Sequence, residues 1–190
     1  MRIESESAKN QWVTAAFECM LDGGLRNIRI EALARALGVT KGSFYHHFAN
    51  RAELVRAAVE RWELEGTDAI IALANREGAP AERLHRLLGV IAGSSAQQGR
   101  GELMLFLEAS DEGVGDAVAR VTGRRIAYVA QLLEEHGVPS GLAQRRAVMA
   151  VAEYHGARVI AAGTDSLPVD ERVLDVGDAI RFLETTLLAP

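Results

Sequence analysis

Residues 33–51 read LARALGVTKGSFYHHFANR. Around Gly38 and Gly42 this stretch gathers Lys41, Ser43, Tyr45, His46, His47 and Arg51, side chains that donate hydrogen bonds to phosphate. An apolar pattern at helical spacing lies on either side of it. Upstream, Leu33, Ala34 and Leu37 recur at three and four, which predicts a short helix from about Ile30 to Leu37. Gly38 and Val39 turn the chain, and Thr40 is a good N-cap for a second helix ending near Phe48. Two short helices joined by a tight turn containing glycine make a helix-turn-helix, whose second helix enters the DNA major groove. Phe44 and Phe48, four apart, are expected on the buried side of that helix. Lys41, Ser43, Tyr45, His46 and His47 then project elsewhere as donors. Gly42 lets backbone approach DNA closely, and the helix start offers its N–H groups and dipole to phosphate.

Composition sets the limits within which this reading must hold. The chain has 190 residues, 48% of them hydrophobic and 25% charged, as in an ordinary soluble globular protein. No apolar run approaches the roughly 18 to 20 residues that span a bilayer. The start, MRIESESAKN, is polar and carries acid, unlike a signal peptide, so a cytoplasmic protein without membrane association is expected. Cys19 is the one cysteine, which excludes an intrachain disulfide and a thiolate metal cluster. It falls within an apolar helical pattern, where a buried inert thiol is favoured over a reactive one.

The net charge of −5 is unevenly divided. Residues 1–55 hold seven Lys/Arg against six Asp/Glu, together with His46 and His47, whereas the remainder holds 14 against 20. An acidic mean therefore does not exclude nucleic acid, since binding depends on a local basic patch.

Nearly everything else reads as helix, and an all-α fold follows. A first helix is expected from about Ser7 to Leu21, ended by the Asp22-Gly23-Gly24 run. A long helix is expected from Arg51 to about Asn75, with Gly66 as its weak point. Pro80 starts the next, whose inward stripe is Leu84, Leu87, Leu88, Ile91 and Ser95. SSAQQGRG, residues 94–101, reads as a polar loop before the short apolar helix ELMLFLEAS. Three more helices are expected over about Val114–Glu135, Leu142–Ala162 and, after Pro168, Val169–Leu188. The last carries Val173, Val176, Ile180, Leu183 and Leu187 at helical spacing.

The run from Trp12 to Trp62 resembles the N-terminal domain of the TetR family of transcriptional regulators, most specifically in GVTKGSFYHHF followed by NRAEL. The resemblance implies an all-helical homodimer with a helix-turn-helix DNA-binding head and a larger helical ligand-binding and dimerisation body. We set these at residues 1–52 and 53–190. It further implies that Thr40, Lys41, Gly42, Ser43, Tyr45 and His47 contact phosphate and groove, that His46 faces base edges, and that Arg51 grips a phosphate at the start of the fourth helix. Arg29 departs from the family pattern, which has Ser or Thr before the second helix. It reaches a phosphate or is a plain exposed arginine, with Asn27 as a cap for an earlier start. Residues 40–48 contain no Arg, Asn or Gln, so sequence choice leans on His46, Ser43 and DNA shape. Two-fold symmetry would call for a palindromic operator in double-stranded DNA.

In the body, two polar residues lie within apolar stripes. Arg125 stands among Val114, Val118, Val121, Tyr128, Val129 and Leu132, and must find either an internal acid (Glu108 or Glu153) or an anionic ligand. His155 shares a face with Val148, Val151, Ala152 and Val159, as a satisfied core or interface histidine or as a ligand contact. Trp62, Phe106, Arg125, Tyr128 and His155 are the pocket candidates, a set suited to a largely apolar small-molecule effector. By the resemblance, the helices over about 141–162 and 169–188 pair with their copies in a partner. An enzyme reading finds no nucleophile-elbow serine, no metal-ligand pair at helical spacing in an acidic setting and no phosphate-cradling loop, and no cofactor is called for. A helical dimer that has lost DNA binding is the alternative, and steep salt dependence separates the two.

Overall fold

A computed structural model describes residues 2–93, 96–162 and 176–189, and every regular element among them is helical. In chain order these are α1 (Arg2–Gly23), α2 (Ile30–Ala36), α3 (Lys41–Phe44), α4 (Arg51–Glu63), α5 (Ala69–Ala74), α6 (Pro80–Ala92), α7 (Ala96–Glu108), α8 (Gly115–Glu135), α9 (Ser140–Ala162) and α10 (Val176–Leu188). The described chain divides into two compact units, residues 1–66 with 100–118, and residues 67–99 with 119–190.

The first unit is built on α1, which packs against α4. Trp12, Ala16 and Met20, at successive fours along α1, are all buried. Gly24 follows the helix at φ +89°, a conformation that glycine adopts without strain, and a 3₁₀ turn over Leu25–Asn27 leads to α2. Leu33 and Ala34 are buried, while Leu37 closes the helix half-buried. The end of α7 also belongs to this unit, with Leu105 and Ala109 buried.

Gly66, the expected weak point, lies in a π-helical turn over Leu64–Asp68 where the long predicted helix divides into α4 and α5. A π turn carries one residue too many for the α-helical ladder, and it forms where the chain tolerates the insertion. The polar run at 94–101 is not a loop throughout: α7 begins at Ala96. Gln97, Gln98 and Arg100 are good helix formers, so polarity there marks a helix and not its interruption. Residues 94 and 95, and with them Ser95 of the predicted stripe, lie outside the described residues.

In the second unit, Leu84, Leu87 and Leu88 of α6 meet Tyr128, Val129, Leu132 and Leu133 of α8 in one apolar cluster. Ile180, Leu183 and Leu187 of α10 complete it, as their spacing predicts. Pro168, Val173 and the predicted helical turns before Val176 lie outside the described residues. On α9 the buried face is Ala143, Ala147 and Ala150. The predicted inward stripe is not this one: Val148 and Ala152 are exposed, and Val151 and His155 are half-buried. α9 is apolar on several sides, so its period does not choose among them; the alanine face wins because small side chains let α10 approach closely.

Candidate nucleic-acid interface

Thr40 starts the second helix of the motif as a working N-cap. Its backbone is extended and its hydroxyl accepts the Ser43 N–H at 3.3 Å. Ser43 donates its own hydroxyl back to the Thr40 carbonyl at 2.9 Å. Gly38, at φ +68°, makes the turn that brings α2 to α3, and Val39 N–H closes it on the Ala34 carbonyl at 3.0 Å. The α-helical part is short, and hydrogen-bonded turns carry the segment on through His47 to Phe48.

Phe44 and Phe48 are both buried, as their spacing predicts. Phe44 meets Trp12 of α1 edge-on at 5.3 Å between ring centroids and stacks on Phe48 at 5.5 Å. This anchor fixes which face of the segment looks outward. Lys41, Gly42, Tyr45 and His46 are exposed, and Ser43 and His47 are half-buried. Tyr45 keeps 55% of its surface exposed although its ring also touches Phe44. An aromatic hydroxyl held out on a rigid stem is a ready hydrogen-bond donor to phosphate. A Cβ added to Gly42 would meet only the Thr40 hydroxyl, at 3.7 Å, so the protein's own packing does not demand glycine there.

The ammonium of Lys41 lies 2.5 Å from Glu31 of α2. That hydrogen bond and charge push Lys41 above the usual lysine range and hold Glu31 below the usual carboxylate range. Both groups are exposed, so water and salt screen the pair and the lysine can exchange partners readily.

Arg29 occupies the N-cap position of α2, is exposed, and makes no side-chain capping bond. Asn27 ends the 3₁₀ turn and does not cap α2. Arg51, at the first position of α4, has its guanidinium turned to the protein. Nε donates to the Ile28 carbonyl at 2.7 Å and Nη2 to the Leu25 carbonyl at 2.6 Å, while Nη1 pairs with Glu112 at 2.5 Å. Sequence reading missed two residues beside it. Asn50 caps α4 by accepting the Glu53 N–H at 3.0 Å, and Glu53 reaches back to the Ala49 N–H at 2.7 Å. Asn followed three residues later by Glu is the local signal that identifies such a cap.

The pocket candidates fall in both units. Trp62 and Phe106 meet edge-on at 6.4 Å in the first unit, and both belong to its packing. Arg125, Tyr128 and His155 belong to the second. Arg125 has an internal partner, donating through Nε to the Thr67 hydroxyl at 3.0 Å. Tyr128 is buried, and no hydrogen-bond partner for its hydroxyl is found among the described residues. Burial pushes that phenol above the usual tyrosine range, against the opposing pull of Arg83 and Arg86.

Cys19 is half-buried, not fully enclosed, and burial, followed by the charges of Asp22 and Glu18, pushes its thiol up. No group of three or more potential metal ligands occurs among the described residues. None of their helices is long and apolar enough to cross a membrane.

A buried aromatic anchor beneath an exposed donor face, on the second helix of a tight two-helix turn, is the arrangement of a helix-turn-helix. Comparison with known proteins carries this further. Residues 13–58 match the model of the bacterial regulatory proteins of the tetR family. Among solved structures, a TetR-family transcriptional regulator from Agrobacterium tumefaciens is similar over 97% of this chain and 100% of its own, with a TM-score of 0.82 at 21% identity. A TetR-family regulator from Streptomyces coelicolor is similar over 97% of both chains (TM-score 0.77, 16% identity). A transcriptional regulator from Saccharomonospora viridis, solved in complex with choline, covers 96% of both (TM-score 0.77, 19% identity). No curated protein matches the chain. Residues 13–58 thus match the tetR-family model, and the chain carries the all-helical fold of the TetR-family transcriptional regulators it resembles.

Proposed function

We propose that the protein is a homodimeric repressor that a small molecule releases from a palindromic operator. The observation that carries this reading is the exposed donor face of residues 40–47 over the buried Phe44–Phe48 anchor. In it, Lys41, Ser43, Tyr45 and His47 grip phosphate with the Thr40 turn, and His46 looks toward base edges. Gly42 gives the close approach that packing alone does not require. Arg29, exposed at the N-cap of α2, adds a phosphate contact in this reading. Residues 1–52 read DNA, and residues 53–190 bind effector and partner.

For dimerisation, the support is an apolar surface on α9 and α10. Leu142, Met149 and Ile160 are exposed at 41%, 65% and 48%, and their spacings of seven and eleven lie near whole helical turns. Phe182 of α10 is exposed at 70%. Such a surface on a lone chain is an aggregation hazard that a second copy covers. This agrees with a four-helix interface through about 141–162 and 169–188.

For the effector, the support is Tyr128, which belongs to the apolar cluster of α6 and α8 and whose buried hydroxyl has no hydrogen-bond partner among the described residues. A mostly apolar molecule carrying one acceptor for that hydroxyl fits the site better than a strongly charged one. Trp62, Phe106, Arg125 and His155 are the further candidates. The effector acts by binding the operator-incompetent dimer better than the DNA-bound one, since equal affinity would shift nothing. Acting on DNA, the protein works in the cytoplasm.

The test is selection of DNA from a random or genomic library by the purified protein, beside Tyr45→Ala. Enrichment of a palindromic site by the wild type, lost in the variant, supports the reading. A folded dimer that enriches nothing at low salt, before and after removal of co-purified small molecules, refutes it.

A further inference from the structure

The guanidinium of Arg51 is turned to the protein and makes four hydrogen bonds there. It bonds the carbonyls of Leu25 and Ile28, and both of its terminal nitrogens reach Glu112, at 2.5 and 3.3 Å. The pair is largely enclosed, with 32% of the arginine side chain and 17% of the glutamate exposed. This fork joins three segments of the first unit: the turn that leads into α2, the start of α4, and the turn after α7.

That last turn grips the head at a second point. The buried carboxylate of Glu108 accepts the Arg26 N–H at 3.0 Å, and Asp111 takes the Arg26 side chain at 2.9 Å. Gly24 lies so close that an added Cβ would stand 2.6 Å from the Met104 Cβ and 2.8 Å from the Glu108 carboxylate. Two arginines of the head thus meet three acids of one turn across a closely fitted seam.

We propose that Arg51 and Glu112 are positioning residues for operator binding, and that Arg51 does not itself contact a phosphate. A guanidinium committed to two carbonyls and a carboxylate has little left to offer DNA, and the adjacent Glu112 charge repels phosphate. The pair instead sets the angle at which α2 and the recognition segment leave α4. The proposal rests on the DNA-binding reading above.

The experiment measures affinity for the selected operator against salt, with thermal melting alongside, for the full-length wild type, Glu112→Gln, Arg51→Lys, Arg51→Ala and the double variant Arg51→Ala with Glu112→Gln. Glu112→Gln keeps shape and loses only charge, so it is expected to fold. The expected result is weaker binding in each single variant, by about 2- to 30-fold, and a double variant no weaker than Arg51→Ala. The salt slope is expected to stay at the wild-type value. Arg51→Lys should weaken binding as much as Arg51→Ala, because a point charge cannot reproduce the planar fork. The result that overturns the proposal is Arg51→Lys binding like the wild type, a salt slope lower by about 1 in Arg51→Ala, and Glu112→Gln binding as tightly as the wild type or more so. A wild type that selects no site refutes the DNA-binding reading, and this proposal with it, before any variant is compared.

Discussion

The rings of Trp12 and Phe44 meet edge-on at 5.3 Å, joining the first helix to the recognition segment through a contact between residues 32 positions apart. α3 is too short to be stable alone, so its place depends on this anchor and on the Phe48 stack beside it. Everything that Tyr45 and His46 present outward is set by what Phe44 buries inward.

Phe44→Ala is therefore expected to cost about 3–5 kcal/mol, the usual range for emptying a fully buried aromatic site. Denaturant unfolding followed by circular dichroism measures it. Tyr45→Ala, at an exposed ring, should change stability by less than about 1 kcal/mol while removing operator binding.

The caps give a finer prediction. Asn50→Ala removes the acceptor that α4 uses at its first turn and should cost about 1 kcal/mol. Thr40→Ala should cost a similar or smaller amount in stability, its bond being longer at 3.3 Å. Thermal melting of both variants beside the wild type decides the order.

Two glycines should respond in opposite directions. A Cβ on Gly101 would overlap the backbone carbonyls of Met20 and Leu21, so Gly101→Ala must push α7 away from α1, at about 1–3 kcal/mol or more. A Cβ on Gly123, within α8, would meet no atom within 4 Å, so Gly123→Ala should stabilise by up to about 1 kcal/mol through helix propensity. Chemical denaturation of both variants reads the sign directly.

Tyr128 sets an alkaline limit. Its folded pKa is raised by burial above the ordinary 10.0, so the neutral phenol favours the folded state. That contribution is complete below the unfolded value and is lost as pH rises through the folded one. Stability should fall above about pH 10. Tyr128→Phe should lose part of that fall, and should not destabilise at neutral pH, since it removes a buried hydroxyl without a protein partner among the described residues. A melting series across pH with both proteins tests this.

The motif was legible because its signals are local. Thr40 caps, Gly38 turns and Phe44–Phe48 anchor within a single short segment, and each does so for a reason that the residue type supplies. Arg51 was not legible in the same way. Its charge and position at a helix start suit a phosphate, yet its partner Glu112 lies 61 residues away and leaves no periodic trace. Arg26 with Glu108 and Asp111 is hidden for the same reason, at separations of 82 and 85. The contact of Trp62 with Phe106 is hidden too, since stripe patterns do not show which ring meets which across 44 positions. On α9, several apolar faces compete and only the close approach of α10 selects the alanine one.

The central claim is that the exposed face of residues 40–47 reads DNA. It is tested most directly by titrating the wild type and Lys41→Ala with the selected operator at several salt concentrations. The account predicts affinity that falls steeply as salt rises, with a slope smaller by about 1 in Lys41→Ala at every site sequence tried. Binding that ignores salt, or a Lys41→Ala slope equal to that of the wild type, would contradict it.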